Sequence, residues 1–192
     1  YFAGLSFDVV AELLGVSSRT AKRDWEYAKA WLYERLLPGD CFNYRTRPMA
    51  DVLHQFVINA EPRLVWDHFT TGDGLAKWWT ARSSGDAVLD AVWQLYFMPG
   101  YDWRALVTVC EPQAAFELTL IDAMDDWIGT RVGVVLRDGG EGLTVVDFYH
   151  RGWAAETDHF RISSFCWATY LRLLKRYIEH GEFTPYGQRD FV

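Results

Sequence analysis

Two histidines and an unusual number of large rings are the side chains of this sequence that could do chemistry. Counting by twos from Thr144 places Val146, Phe148 and His150 on one face of an extended run, and that face is apolar. A histidine closing an inward apolar face could orient a polar group of a ligand or act as a general base. His150 is therefore the lone catalytic candidate. His159 beside Asp158 invites an acid–base or metal reading, but no second or third ligand stands at helical or hairpin spacing, so no metal site is expected. No nucleophile elbow, glycine-rich phosphate loop or HExxH helix is present. Gly139, Gly140 and Gly142 fit a hairpin turn, and Asp125-Asp126 reads as a solvated loop. No cofactor is expected.

The rings argue for binding rather than turnover. Aromatic residues make up 17% of the 192-residue chain, with ten tryptophans, enough to fill a thick core or wall a pocket. Trp79, Trp93, Phe97, Phe116, Phe148, His150, Ser164 and Trp167 are the expected cavity-facing positions. Wide apolar walls with a few polar points suit a hydrophobic small molecule.

These residues need elements to hold them. His54–Ile58 alternates as a strand, and Asn59-Ala60-Glu61-Pro62 turns it into a helix with Val65, Trp66 and Phe69 on its apolar side. Thr71-Gly72-Asp73-Gly74 is expected to break that helix before a second short one over 75–79. Strand-like runs follow at 86–90, 92–98, 103–110, 115–121, 130–137 and 142–150. Phe116, Leu118 and Leu120 share one face, as do Val132, Val134 and Leu136, with Glu117, Thr119, Arg131 and Arg137 opposite. A long helix is expected over 157–180, ended by Gly181, with the stripe Phe160, Ser164, Trp167, Leu171, Leu174 and Ile178 buried. The order predicts an α+β fold: a curved antiparallel sheet of about seven strands around a long C-terminal helix.

The first 37 residues read differently. Ser6 can cap a short helix with Phe7, Val10, Ala11 and Leu14 on one face, Gly15 can stop it, and Ser17 or Ser18 can cap a longer helix reaching Leu37. Two helices about a tight turn make a helix-turn-helix appendage. Its five basic and five acidic side chains cancel, so the negative excess lies in residues 51–192, and the net charge of −7 argues against general nucleic-acid binding. Residues 38–52 lack periodicity and read as a linker, with Met49 where the second domain would naturally start. The expected organisation is thus 1–37, linker 38–52, domain 53–185 and tail 186–192. No apolar run approaches the roughly 20 residues of a membrane span, no basic-then-apolar signal segment stands at the start, and three cysteines form no CxxC. A reducing cytoplasm is the expected setting.

Both parts resemble known families. AEPRLVWDHFT, GLAKWWT, CEPQAAFELT, GTRVGVVL, LTVVDFYHRGW and SSFCWATYLRLLKRYIEHG resemble, in order, the landmarks of the START-like (SRPBCC) superfamily, and above all the branch named after the activator of the heat-shock chaperone ATPase. That resemblance implies a helix-grip START-like fold over residues 50–185. It implies three kinds of role: a cavity for a hydrophobic small molecule, a polyketide cyclase-like enzyme using His150, or a co-chaperone-like module engaging a protein partner through its sheet face. YFAGLSFDVVAELLGVSSRTAKRDWEYAKAWLYERL resembles region four of extracytoplasmic-function sigma factors. By that resemblance Arg19, Lys22 and Arg23 would contact promoter DNA in the major groove, and ligand binding would be linked to transcription.

Overall fold

In the computed structural model the chain divides into two compact units, residues 1–44 and 45–192. The structure describes residues 50–189 and, near the start, residues 8, 11–12, 15–20 and 22.

In the first unit residues 8, 11 and 12 are helical, a turn stands at Gly15–Val16, and residues 18–20 and 22 are helical again; the rest of the expected second helix, to Leu37, lies outside the described residues. Gly15 takes the left-handed conformation (φ 64°), which a side chain would strain. The Val16 N–H donates to the Ala11 carbonyl (3.0 Å), and the Thr20 N–H donates to Ser17 Oγ (3.1 Å), so Ser17 caps the second helix. Ser18 Oγ closes the turn by donating to Asp8 Oδ1 (2.6 Å).

The second unit is one seven-stranded antiparallel sheet with helices on one face. Its elements are β1 (Ala50–Ile58), α1 (Pro62–Thr70), α2 (Gly72–Ala76), β2 (Arg82–Ser84), β3 (Val92–Met98), β4 (Tyr101–Glu111), β5 (Ala115–Asp122), β6 (Arg131–Gly140), β7 (Leu143–Trp153) and α3 (Asp158–His180), followed by a 3₁₀ turn at Tyr186–Gln188. The strand order is β1-β7-β6-β5-β4-β3-β2. Strands β2 to β7 run as consecutive hairpins, and β1 returns to pair with β7. Register shifts in the β1–β7, β3–β4, β4–β5 and β6–β7 pairs bend the sheet. The concave face buries Phe116, Leu118, Leu120, Val132, Val134, Leu136, Val146 and Phe148 against Trp167, Leu171 and Leu174 of α3. Helix α3 is stopped at both ends: Thr157 Oγ1 accepts from the Phe160 N–H (3.1 Å), and Gly181 turns left-handed (φ 68°). This is the helix-grip fold.

Several elements differ from the sequence reading. The run 86–90 is a loop, not a strand. Asp90 has a left-handed φ of 64°, and the Trp93 indole pins the loop by donating to the Asp86 carbonyl (2.9 Å). The edge strand is β2, three residues at 82–84 paired with β3. Thr71–Gly74, expected as a break, begins α2, because Thr71 Oγ1 accepts from the Gly74 N–H (3.0 Å) and acts as its N-cap. Ser163 rather than Ser164 is the buried serine of α3. Strand β1 starts at Ala50, inside the expected linker. Arg189, in the expected tail, is buried and donates to the carbonyls of Ala76 (2.8 Å), Thr80 (3.5 Å) and Thr184 (3.0 Å).

Candidate binding cavity and its aromatic belt

A cavity of about 190 Å³ opens between the N-terminal half of α3 and one end of the sheet. Five rings from five chain segments line it, each touching the next in a closed circuit. Trp79, in the turn after α2, meets Phe97 of β3 (centroids 5.8 Å apart), and Phe97 meets Trp103 of β4 (4.7 Å). Trp103 meets Trp127 in the β5–β6 loop (5.0 Å), Trp127 stacks on Trp167 of α3 (5.9 Å), and Trp167 returns to Trp79 (5.1 Å). Local backbone bonds set these rings. The Trp79 N–H donates to the Leu75 carbonyl (2.8 Å), and the Trp127 N–H donates to the Met124 carbonyl (2.8 Å). Tyr101, Tyr170 and Tyr186 complete the wall, while Met98, Met124 and Ile162 are exposed apolar side chains bordering the opening. A second space, lined by Phe69, Trp78, Phe116, Val134, Phe148 and others, holds only about 20 Å³ and is part of the packed core.

His150 supports this wall from behind. It is fully buried and borders neither cavity. The Trp167 indole N–H, which can only donate, is 3.0 Å from His150 Nδ1, so Nδ1 carries the lone pair. The proton must then sit on Nε2, which donates to Thr130 Oγ1 (2.8 Å). Thr130 Oγ1 passes its own hydrogen to the Trp127 carbonyl (2.6 Å). This chain ties α3, β7 and the β5–β6 loop together and fixes two of the five belt rings. Burial, with a smaller contribution from the nearby His159, drives the His150 pKa down to about 3. The ring is neutral at physiological pH, with both nitrogens already engaged.

The polar groups that do border the cavity are others. His159 lines the cavity, and its Nδ1 donates to Asp126 Oδ2 (2.7 Å), both side chains being about one-third exposed. This is a different carboxylate from the adjacent Asp158, and it takes Asp126 out of the purely solvated role that its loop position suggests. Ser163 and Cys166 add a hydroxyl and a thiol, and burial pushes the Cys166 thiol up. No cluster of metal-ligating side chains exists among the described residues.

The eight sequence-expected positions therefore divide. Trp79, Phe97 and Trp167 lie in the belt, while Phe116 and Phe148 line the small inner space. Trp93 and Ser164 border neither cavity. Trp93 is a core residue edge-on to Phe116 (5.9 Å), and Gly85 leaves room for its ring. Sequence reasoning missed Trp103, Trp127 and His159 as wall residues. Trp103 and Trp127 sit at a strand start and in a loop, where alternation carries no signal. Of the expected DNA contacts, Arg19 and Lys22 are exposed, and Arg23 lies outside the described residues.

Comparison with known proteins agrees with this architecture. Residues 1–37 match the model of the ECF sigma factor family. The Aha1 dimer from Colwellia psychrerythraea is 30% identical, with the match covering 70% of this chain and 99% of that one at a TM-score of 0.63. The EF2215 protein from Enterococcus faecalis (17% identity, 76% and 80% coverage, TM-score 0.62) and CalU16 from Micromonospora echinospora (17% identity, 71% and 78% coverage, TM-score 0.57) share the fold. Among curated proteins none matches the chain by sequence. Residues 59–179 match the model of the Activator of Hsp90 ATPase homolog 1-like proteins, and the chain belongs to that family.

Proposed function

We propose that residues 45–192 bind a hydrophobic, flat small molecule without transforming it. The observation that carries this reading is the cavity of about 190 Å³ lined by five linked rings. An apolar cavity of about 150 Å³ is known to accept benzene, and pockets for drug-sized ligands run to about 300–1,000 Å³. The space thus suits one or two fused rings, with any longer part emerging past Met98 and Ile162. Catalysis by His150 is disfavoured, since a base needs a lone pair facing its substrate and this one is held by Trp167. No described helix is long and apolar enough to cross a membrane.

The test is binding of 1-anilinonaphthalene-8-sulfonate, a dye that brightens in apolar sites, to the intact protein and to Ser163→Phe. Ser163 faces the cavity from α3 and is buried, so a phenyl group there fills the space. Dye binding should fall at least about tenfold, with helix and strand content retained. Equal brightening by the folded variant would remove the cavity from the account.

A second reading adds DNA. The family match of residues 1–37 and the exposure of Arg19 and Lys22 support contact with promoter phosphates and bases. Gel-shift assays of the chain with and without residues 1–48 separate the two readings, and identical shifts would end the DNA proposal. A protein partner on the outer sheet face, where Leu53, Val57 and Val135 are exposed, is the third role that this family membership leaves for test by pull-down.

A further inference from the structure

Among the described residues, three side-chain nitrogens are sealed in packing without a hydrogen-bond partner: His54 Nε2, Trp127 Nε1 and Trp153 Nε1. None of them can meet a ligand. Two other unpaired polar atoms are accessible, and both stand on α3 where it walls the large cavity: His159 Nε2 and Ser163 Oγ. Ser163 lines the cavity and is only 5% exposed, so the space its hydroxyl meets is the cavity. His159 is placed by its other nitrogen. Asp126, which takes the Nδ1 hydrogen (2.7 Å), does not line the cavity although the imidazole does. The Nδ1 edge therefore points away from the space, and the opposite edge, with Nε2, borders it. Stacking on Trp127 (6.2 Å) and edge contact with Trp153 (5.8 Å) hold the ring in this pose. A carboxylate only accepts, so Nδ1 keeps its hydrogen and the neutral ring offers a lone pair at Nε2. The two residues are one helical turn apart (i, i+4), a spacing that brings Cβ atoms within about 5–6 Å. No hydrogen bond joins their side chains, so both groups are free for a third atom between them.

Resting on the cavity reading above, we infer that the ligand is a hydroxyarene whose ring hydroxyl donates to His159 Nε2 and accepts from Ser163 Oγ. One ligand atom must do both, and that selects the functional group. A phenol carries a strong donor and free lone pairs on the same oxygen. A ketone or ether oxygen only accepts, so it would face the Nε2 lone pair with a lone pair of its own. An arylamine donates but accepts poorly, because its lone pair is shared with the ring. An anionic group offers acceptors alone to a site that needs a donor. Asp126 is the positioning residue: it fixes which nitrogen faces the ligand without touching it. The belt thus holds the flat ring system, and the His159–Ser163 pair picks the edge of it that carries the hydroxyl.

Two probes of nearly equal shape, 2-naphthol and 2-methylnaphthalene, separate this from general apolar binding. Each is titrated by calorimetry into the full chain, into His159→Phe and into Ser163→Ala. His159→Phe keeps a ring and removes the acceptor. There 2-naphthol should lose about tenfold more affinity than the hydrocarbon, the size of one good buried hydrogen bond. In Ser163→Ala the naphthol should again lose more than the hydrocarbon, by about threefold. In the unmodified chain, labelled with ¹⁵N at its histidine rings, the His159 Nε2 resonance should move upfield with 2-naphthol and stay near its position with 2-methylnaphthalene. That resonance is identified by its loss in His159→Phe or His159→Asn. If His159→Phe does not fold, Ser163→Ala and the shift in the unmodified chain decide. Equal losses with both probes, or a His159 resonance that bound 2-naphthol leaves unmoved, overturn the inference and leave the cavity reading standing. Failure of both probes to bind overturns both.

Discussion

Protonating His150 means breaking either its bond from Trp167 or the hydrogen-bonded chain through Thr130, at a ring fully buried in the fold. The unfolded ring takes up a proton near pH 6.5, whereas the folded ring resists until about pH 3. Between those values the unfolded state binds more protons, so the stability held above pH 6.5 is lost as the pH falls toward 3. From pH 7 to pH 5 the loss should be about 2 kcal/mol from this residue, read from urea denaturation midpoints. His54, also held below its usual value by burial, adds a slope of the same sign. His150→Gln should therefore flatten the profile without abolishing it; an unchanged slope would mean that the ring is already charged in the fold. On the outer sheet face, Tyr149 of β7 lies over Gly133 of β6 and donates through its hydroxyl to Glu117 of β5 (2.8 Å). A Cβ at Gly133 would stand 2.4 Å from the Tyr149 ring. Gly133→Ala should thus cost roughly 1–3 kcal/mol. The loss should nearly disappear in a Tyr149→Ala background, where the clash is gone. The sequence put Glu117 on the outer face but gave no sign that it is buried, because its cover comes from a tyrosine two strands away.

At the scale of elements, what was legible follows the range over which each signal acts. Strands β3 to β7 and helix α3 were readable because alternation, turn residues and caps are local, and each of these elements is long enough to average them. Strand β2 was not, since three residues carry no period, and 86–90 imitated a strand until Asp90 turned left-handed. The belt was legible only in part. Trp79, Phe97 and Trp167 lie on periodic faces or beside one, while Trp103 and Trp127 come into place through strand stagger and loop geometry. The C-terminal strap was missed for the same reason, its order residing in one long side chain. Arg189 reaches the last carbonyl of α2, where a cation is favoured by the helix dipole, and its guanidinium lies 5.4 Å from the Tyr186 ring centre. Arg189→Ala should release the segment from Phe183 onward, lower stability by about 2 kcal/mol and expose that segment to chymotrypsin at Phe183 and Tyr186. Unchanged cleavage would show that the tyrosine holds the strap without the arginine.

For the whole molecule, the chain carries two units, one with residues 1–37 matching the ECF sigma factor family and one of the Activator of Hsp90 ATPase homolog 1-like family with a cavity lined by rings. Presence on one chain does not make them communicate. Communication has a thermodynamic signature that needs no knowledge of the path between them. If occupation of the cavity changes affinity for DNA by some factor, DNA must change affinity for the cavity ligand by the same factor. The regulatory reading therefore predicts two numbers that agree. Saturating 1-anilinonaphthalene-8-sulfonate should shift the DNA dissociation constant at least about fivefold, and saturating DNA should shift that of the dye equally. Affinity for DNA should also weaken with salt, as phosphate contacts by Arg19 and Lys22 require. A chain beginning at residue 45 should keep its affinity for the dye and lose both the DNA response and its salt dependence. If instead the two affinities prove indifferent to one another, the chain carries two independent binding units, and the cavity answers to its ligand alone.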